Sequence, residues 1–225
     1  FGLNASNNTD GLNGVLDEVG YWNDALSASE VTALYNSGTA LDARTNAGNY
    51  SSTANLVGYW KMEDGSGTKL TDVSGYGSDG TIDGASWATG VLSTSYDNTP
   101  KNLGNALSFD GTDDYVGVAD SPTLDLKDAV TIIAWVNPSS NGGTILAKRD
   151  YSGGERTNYH LNFDVNGIVQ FEFNYDNSVL GKISGVSSIP LNKWSHVALT
   201  YDKQEIKIYI NGVLDKTEQE TDSLT

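Results

Sequence analysis

The sequence predicts an all-β protein, an antiparallel two-sheet jelly-roll sandwich with one short capping helix. Three observations carry this. Short runs with period-two apolar patterning recur along the chain. Gly, Asn, Asp, Ser and Thr punctuate them at turn spacing, and only one segment has helical periodicity. The run VTIIAWVN (130–137) is apolar on both faces and is placed at the centre of a sheet.

In chain order, NGVLDEVGYW (13–22) is the first strand. SASEVTALYNSG (27–38) is the helix. Ser27 caps its first turn, Glu30 closes a capping box, Val31, Leu34 and Tyr35 share a face, and Gly38 ends it. The cap contributes about 1 kcal/mol. A helix this short needs tertiary packing and is expected as a lid on the sandwich. Residues 36–56 are small and polar and read as a linker.

Further strands are LVGYWKM (56–62), NALSFDG (105–111), DYVGVA (114–119), VTIIAWVN, GTILAKR (143–149), KWSHVALTYD (193–202) and EIKIYING (205–212). Residues 90–104 read as a long surface loop. TNYHLNFD and IVQFEFNY form a hairpin whose register can be derived. A two-residue Asn166-Gly167 loop sets the two apolar faces on opposite sides. A three-residue loop, Val165 to Gly167, pairs Phe163 with Val169 and Leu161 with Phe171 on one face, so the three-residue form is predicted.

The chain has 225 residues, enough for one large all-β domain, and no cysteine, hence no disulfides and no thiolate metal site. It begins with Phe and carries no signal-like segment, so it reads as a mature product or an excerpt. Lys and Arg number 13 against 29 Asp and Glu, a net charge of −16, which argues against nucleic acid and anionic membranes as partners. No apolar run approaches membrane-spanning length, so membrane insertion is not expected. Acid of this kind keeps a chain soluble and supplies hard oxygen ligands for calcium.

LVGYWKMEDGSGTKLTDVSGYGSDGTIDGASW resembles the opening of laminin G-like, concanavalin A-like jelly-roll modules. GNALSFDGTDDYVGV, VTIIAWVNP, GTILAKR, IPLNKWSHVALTYD and IKIYINGV follow in that family's order, while GLNGVLDEVGYWNDALSASEVTALYNSG resembles its closing strand and helix. The closing motif thus precedes the opening one. Residues 1–38 form the closing part, 39–55 a linker, and 56–225 the opening and main body. Three arrangements fit: a circular permutant that completes its own sandwich, one period of a tandem array, or a subunit donating residues 1–38 to a neighbour. The linker-like composition of 36–56 favours the array or filament, with neighbouring copies as partners through residues 1–38.

No catalytic constellation is visible, and the chain is not expected to be an enzyme. Asp17 and Glu18 are adjacent, which in a regular strand sends them to opposite faces, and Glu172 stands alone in FEF. His196 reads as a packed structural side chain and His160 as solvent-facing. The resemblance implies a calcium ion near the opening motif and closing strand, with Glu63, Asp72 and Asp17 at the matching positions and Gly75 and Gly77 turning carbonyls inward; in an array Asp17 would come from another copy. Asp113 and Asp114 read as turn residues. Trp60, Trp87, Trp135 and Trp194 read as structural, while loop residues Tyr76, Tyr96, Tyr151 and Tyr175 are candidates for glycan contact. Asn4, Asn7 and Asn49 head N-x-S/T triplets. The resulting expectation is a non-catalytic extracellular, cell-surface or virion-surface structural or adhesion module, with a lectin-like carbohydrate-binding module as the alternative.

Overall fold

A computed structural model describes residues 1–2, 10–94, 100–125, 129–150, 156–175 and 179–219; side chains are described for all of these except 93–94, 100–103, 149–150, 156–157, 174–175 and 179–180. Among the described residues fifteen strands run β1 Asn13–Trp22, β2 Leu56–Trp60, β3 Lys69–Leu70, β4 Gly80–Asp83, β5 Ser86–Thr94, β6 Pro100–Asp110, β7 Tyr115–Val118, β8 Val130–Pro138, β9 Gly143–Asp150, β10 Arg156–Phe163, β11 Ile168–Tyr175, β12 Val179–Ser188, β13 Ser195–Tyr201, β14 Glu205–Ile210 and β15 Val213–Gln219. The single α-helix among the described residues, α1, is Ala28–Tyr35.

One layer is a sheet in the order β15-β14-β13-β8-β1-β6-β5, with β2 also paired to β1. The other holds two smaller sheets, β12-β11-β10-β9 and β3-β4-β7. The chain start joins these two. The Phe1 ammonium donates to the Val116 carbonyl at 2.9 Å and Val116 N–H to the Phe1 carbonyl at 3.1 Å, while Gly2 N–H reaches Ile145 O at 3.3 Å. Phe1 thus lies between β7 and β9, its ring 4.9 Å from that of Trp60. Burial pushes its α-amine down to about 6.

The main core sits between the layers. Leu16, Val19, Tyr21, Ile132, Val197, Leu199 and Ile208 of the large sheet meet Leu161, Phe163, Phe171, Phe173 and Ile183 of the facing one. A second core covers the opposite face of the large sheet. Cross-strand partners Tyr209, Ala198 and Ile133 form a row there, with Tyr59 on β2, beneath Val31 and Leu34 of α1. Hence β8 is buried on both faces, as its pattern predicts.

The residues between α1 and β2 are not a linker. Ala40, Leu41, Asp42, Ala43 and Tyr50 are buried, Trp22 Nε1 donates to Tyr50 Oη at 3.0 Å, and Tyr50 Oη donates to Ala43 O at 2.8 Å. Small residues lie here because the segment passes close over a sheet. The expected surface loop at 90–104 is also corrected: its ends belong to β5 and β6, which pair with each other. The β10–β11 hairpin has the derived register, Phe163 opposite Val169 and Leu161 opposite Phe171, closed by Gly167 at φ 77°.

The capping box forms as expected, Glu30 N–H donating to Ser27 Oγ at 3.3 Å and Ser27 N–H to Glu30 Oε2 at 3.0 Å. The helix stops earlier than expected, at Asn36, which takes the left-handed conformation at φ 45° ahead of Gly38. Strand β1 pairs with β8 along one edge and with β6 and then β2 along the other. Residues 13–35 therefore complete the sandwich of their own chain. Within this single chain Asp17 and Glu63 approach the same β5–β6 hairpin.

Candidate functional site

The chemistry-bearing residues gather where β1 changes partner. Residues 13–16 pair with β6 and residues 19–22 with β2, leaving Asp17 and Glu18 in the gap between them. Leu16 and Val19 both enter the main core, so an extra residue is inserted and the two acids face the other way together. Glu18 takes φ 49° to achieve this. The opposite-face expectation for this pair fails because it assumed a regular pleat.

Asp17 and Glu18 are 1% and 4% exposed. Asp17 Oδ1 accepts the Glu18 N–H at 2.8 Å and Oδ2 the Val91 N–H at 2.9 Å. Burial, reinforced by the neighbouring Glu18 charge, holds the Asp17 carboxyl well above the usual carboxylate range. Burial likewise pushes Glu18 up to about 7, against the pull of Lys61. Glu18 Oε2 accepts from the Tyr59 hydroxyl, whereas buried Oε1 has no hydrogen-bond partner and lies 3.8 Å from Lys61 Nζ.

The segment after α1 supplies further charges. Asp42 is held bidentately by Arg44, at 2.9 and 2.6 Å, and reaches Lys61 Nζ at 3.1 Å. Burial raises its carboxyl, but the Arg44 hydrogen bonds and the Lys61 charge outweigh this and the net shift is downward. Asp42, Arg44, Lys61 and Tyr59 were not singled out from the sequence. An Asp-x-Arg spacing in an otherwise small, uncharged segment is the one signal that could have found them.

The expected calcium set divides. Asp17 and Glu63 converge on the β5–β6 hairpin. The point where a Cβ of Gly90 would lie is 2.4 Å from Asp17 Oδ2 and 2.5 Å from the Asn105 carbonyl oxygen. A Cβ at Gly104 would meet Glu63 Oε1 at 1.8 Å, and Glu63 Oε2 accepts the Asn105 N–H at 3.2 Å. Two missing side chains thus form a cradle for hard oxygens. Asp17 and Glu63 line this cradle, but with Glu18 they do not bring three carboxylate oxygens within 4.8 Å of one another.

Asp72 does not join them. Its oxygens accept Tyr59 N–H at 3.0 Å, Ser74 N–H and Oγ at 2.9 Å each and Ser78 N–H at 2.9 Å, so it organises the loop before β4. Gly75 and Gly77, at φ 98° and 76°, lie in this exposed loop, with nothing within 4 Å of where a Cβ would sit on either. Among the described residues, the three carboxylates with oxygens within 4.8 Å of one another are Asp110, Asp113 and Asp114. Two of these cap the β6–β7 turn, Thr112 N–H donating to Asp110 Oδ1 at 2.7 Å and Asp110 N–H to Asp114 Oδ2 at 2.9 Å.

Of the aromatic candidates, Tyr76 projects from the Asp72 loop and is 53% exposed. Tyr96, Tyr151 and the Tyr175 side chain lie outside the described residues, as do Asn4 and Asn7. Asn49 is exposed in a turn closed by Ala47 and Tyr50. Trp60 and Trp135 are buried, and Trp87 and Trp194 partly buried against core clusters. His196 is buried as expected, but His160 is not solvent-facing: it is 1% exposed, with Nε2 2.9 Å from Thr144 Oγ1 and Nδ1 3.2 Å from Glu172.

A family model described as Laminin_G_3, concanavalin A-like lectin/glucanases superfamily, matches residues 110–225. The chain belongs to this family. The match leaves out residues 1–109. The chain's fold is similar to the binding domain of Paraclostridial Mosquitocidal Protein 1, at TM-score 0.54 and 15% identity, over 77% of this chain and 43% of that one. The binding domain of botulinum neurotoxin serotype G matches at TM-score 0.47 and 19% identity, over 69% and 38%. An S-layer domain-containing protein from Clostridium thermocellum matches at 0.36 and 19%, over 73% and 72%. This laminin G-like chain therefore spans less than half the length of the first two structures. No curated protein sequence matches it. Among its described residues no helix is long and apolar enough to cross a membrane.

Proposed function

We propose that this laminin G-like chain is a non-catalytic, glycan-binding adhesion module of an extracellular, cell-surface or virion-surface protein, strengthened by a calcium ion held by Asp17 and Glu63. The observation that carries the reading is Tyr76. The residue is 53% exposed, in a loop whose base is tied by four hydrogen bonds to Asp72. An aromatic presented this way loses little freedom on binding, which is where affinity for a small, polar ligand is usually lost. The titratable groups of the β1 gap are buried and paired rather than set across an open cleft, which suits a structural role better than acid–base chemistry. The fold shared with a toxin's binding domain supports binding as the general task.

Calcium, when bound, supplies charge that offsets the crowded carboxylates. The chain's own residues do the rest. Gly90 and Gly104 leave room for Asp17 and Glu63, and backbone N–H groups of Val91 and Asn105 orient the two carboxylates.

The test is a printed array of neutral and acidic oligosaccharides, run in calcium and after chelation, alongside thermal unfolding. Binding to at least one glycan is expected, with an unfolding midpoint several degrees lower in chelator and a Glu63→Gln variant that no longer responds to calcium. Absence of binding to every glycan overturns the glycan reading. An unchanged midpoint overturns the calcium site.

A further inference from the structure

The outward face of the three-stranded sheet carries an unassigned arrangement. In its register Asp83 is opposite Tyr115, Thr81 opposite Gly117, and Lys69 opposite Thr81. All five are exposed, while their neighbours Leu70, Ile82 and Val116 enter the main core. The side chains that look outward are therefore one contiguous polar face built on a buried one.

Tyr115 is 39% exposed, and its ring leans along β7 over Gly117, with Cε2 3.5 Å from where a Cβ would lie. Asp83, directly opposite in register, holds the Tyr115 phenol above the usual range. Asp79 continues the face towards the loop of Tyr76: one oxygen is 2.8 Å from Lys69 Nζ and the other accepts the Asp72 N–H at 2.9 Å.

We propose that this face, centred on Tyr115, is a binding site for a neutral oligosaccharide. The inference rests on the glycan reading above and assigns it a second aromatic contact. A sugar ring presents a C–H face that packs on an aromatic ring and hydroxyls that need both donors and acceptors; Tyr115, Thr81, Lys69 and Asp83 supply that set. Charge selects against the alternatives. Asp79, Asp83 and the adjoining Asp110, Asp113 and Asp114 repel nucleic acid and acidic glycans alike. The face lacks the central apolar cluster that a stable protein interface requires.

The experiment compares the parent chain with Tyr115→Ala, Tyr115→Phe and Tyr76→Ala on the same array, each first checked for an unchanged unfolding midpoint. Tyr115→Ala is expected to weaken binding of a neutral glycan by about tenfold, and Tyr115→Phe, which keeps the ring, by less than about threefold. If Tyr115→Ala loses stability, solvent accessibility of Tyr115 and Thr81 to hydroxyl-radical labelling, with and without the bound glycan, replaces it; protection is expected. Glycan binding insensitive to Tyr115→Ala, or without protection at Tyr115, overturns this site and leaves the module reading intact. Binding confined to acidic glycans also overturns it. No binding to any glycan overturns both.

Discussion

His196 shows how one buried side chain makes a measurable signature. It is fully enclosed, its ring 5.3 Å from Trp135 and 5.9 Å from Tyr35, and neither ring nitrogen has a hydrogen-bond partner. Burial alone pulls its pKa down to about 3 from the ordinary value of 6.5. The unfolded chain therefore binds a proton below about pH 6.5 that the folded chain refuses. Stability from this residue is complete above pH 6.5 and is lost as pH falls towards 3, with a limiting slope of ~1.4 kcal/mol per pH unit. Replacing it with Phe keeps an aromatic in the cage and removes the titration. The difference between parent and His196→Phe unfolding free energies, followed by urea titration from pH 7 to 4, is expected to shift towards the variant as pH falls. A pH-independent difference would show that the ring is hydrated or paired. The packed role of this histidine was legible because it follows Trp194 in a strand motif. The buried position of His160 was not, because Thr144 and Glu172, which flank it, come from separate strands and their contact is invisible to alternation within one strand.

At the scale of elements, Glu30 illustrates how a local signal acquires a long-range duty. Its Oε2 closes the capping box, while Oε1 accepts from Ser51 N–H at 3.2 Å and Ser52 Oγ at 2.6 Å. The helix start and the segment before β2 are thereby tied through one carboxylate. Removing only the cap, with Ser27→Ala, is expected to cost about 1 kcal/mol. Glu30→Ala breaks the cap and both anchors, and its expected cost is about 2–3 kcal/mol. Urea unfolding of the two variants measures the gap; equal losses would mean that the Ser51 and Ser52 bonds contribute nothing. The capping box was legible because it lies within four residues, and the β10–β11 register because a Gly in a three-residue loop leaves one geometry that buries both apolar faces. Strands β3, β4, β5, β12 and β15 were missed. Strand β3 has two residues, β5 carries Gly90 where Asp17 approaches, and β15 is an edge strand with no buried residue, so none shows a clean alternation. The carboxylate cradle was only partly legible: Asp17 and Glu63 could be named from the sequence, but the bulge that turns Glu18 and the glycines that admit the acids depend on pairing between distant strands.

For the whole molecule, the decisive feature is that the first strand in the sequence is an interior strand of the large sheet. Strand β1 lies between β8 and β6, with β2 continuing along the β6 side, so three otherwise separate strands are held through it. The helix that follows supplies Val31 and Leu34 to the second core, and Phe1 fills the seam between the two smaller sheets. This chain can fold alone only if β1 returns to its own sheet, and the connecting residues 39–55 are long enough and small enough to run back across the sheet face. Two consequences separate this from exchange between copies. A chain consisting of residues 39–225 should lose the interior strand and one side of the second core, leaving β8 and β6 without a shared neighbour; a cooperative unfolding transition is expected to vanish. The full chain, in contrast, should run as a monomer across a hundredfold range of concentration in sedimentation velocity, because no strand position in its sheet is left for a second copy's β1 to fill. A concentration-dependent dimer that persists until the protein unfolds would mean that β1 has left its own chain, as in a domain-swapped assembly.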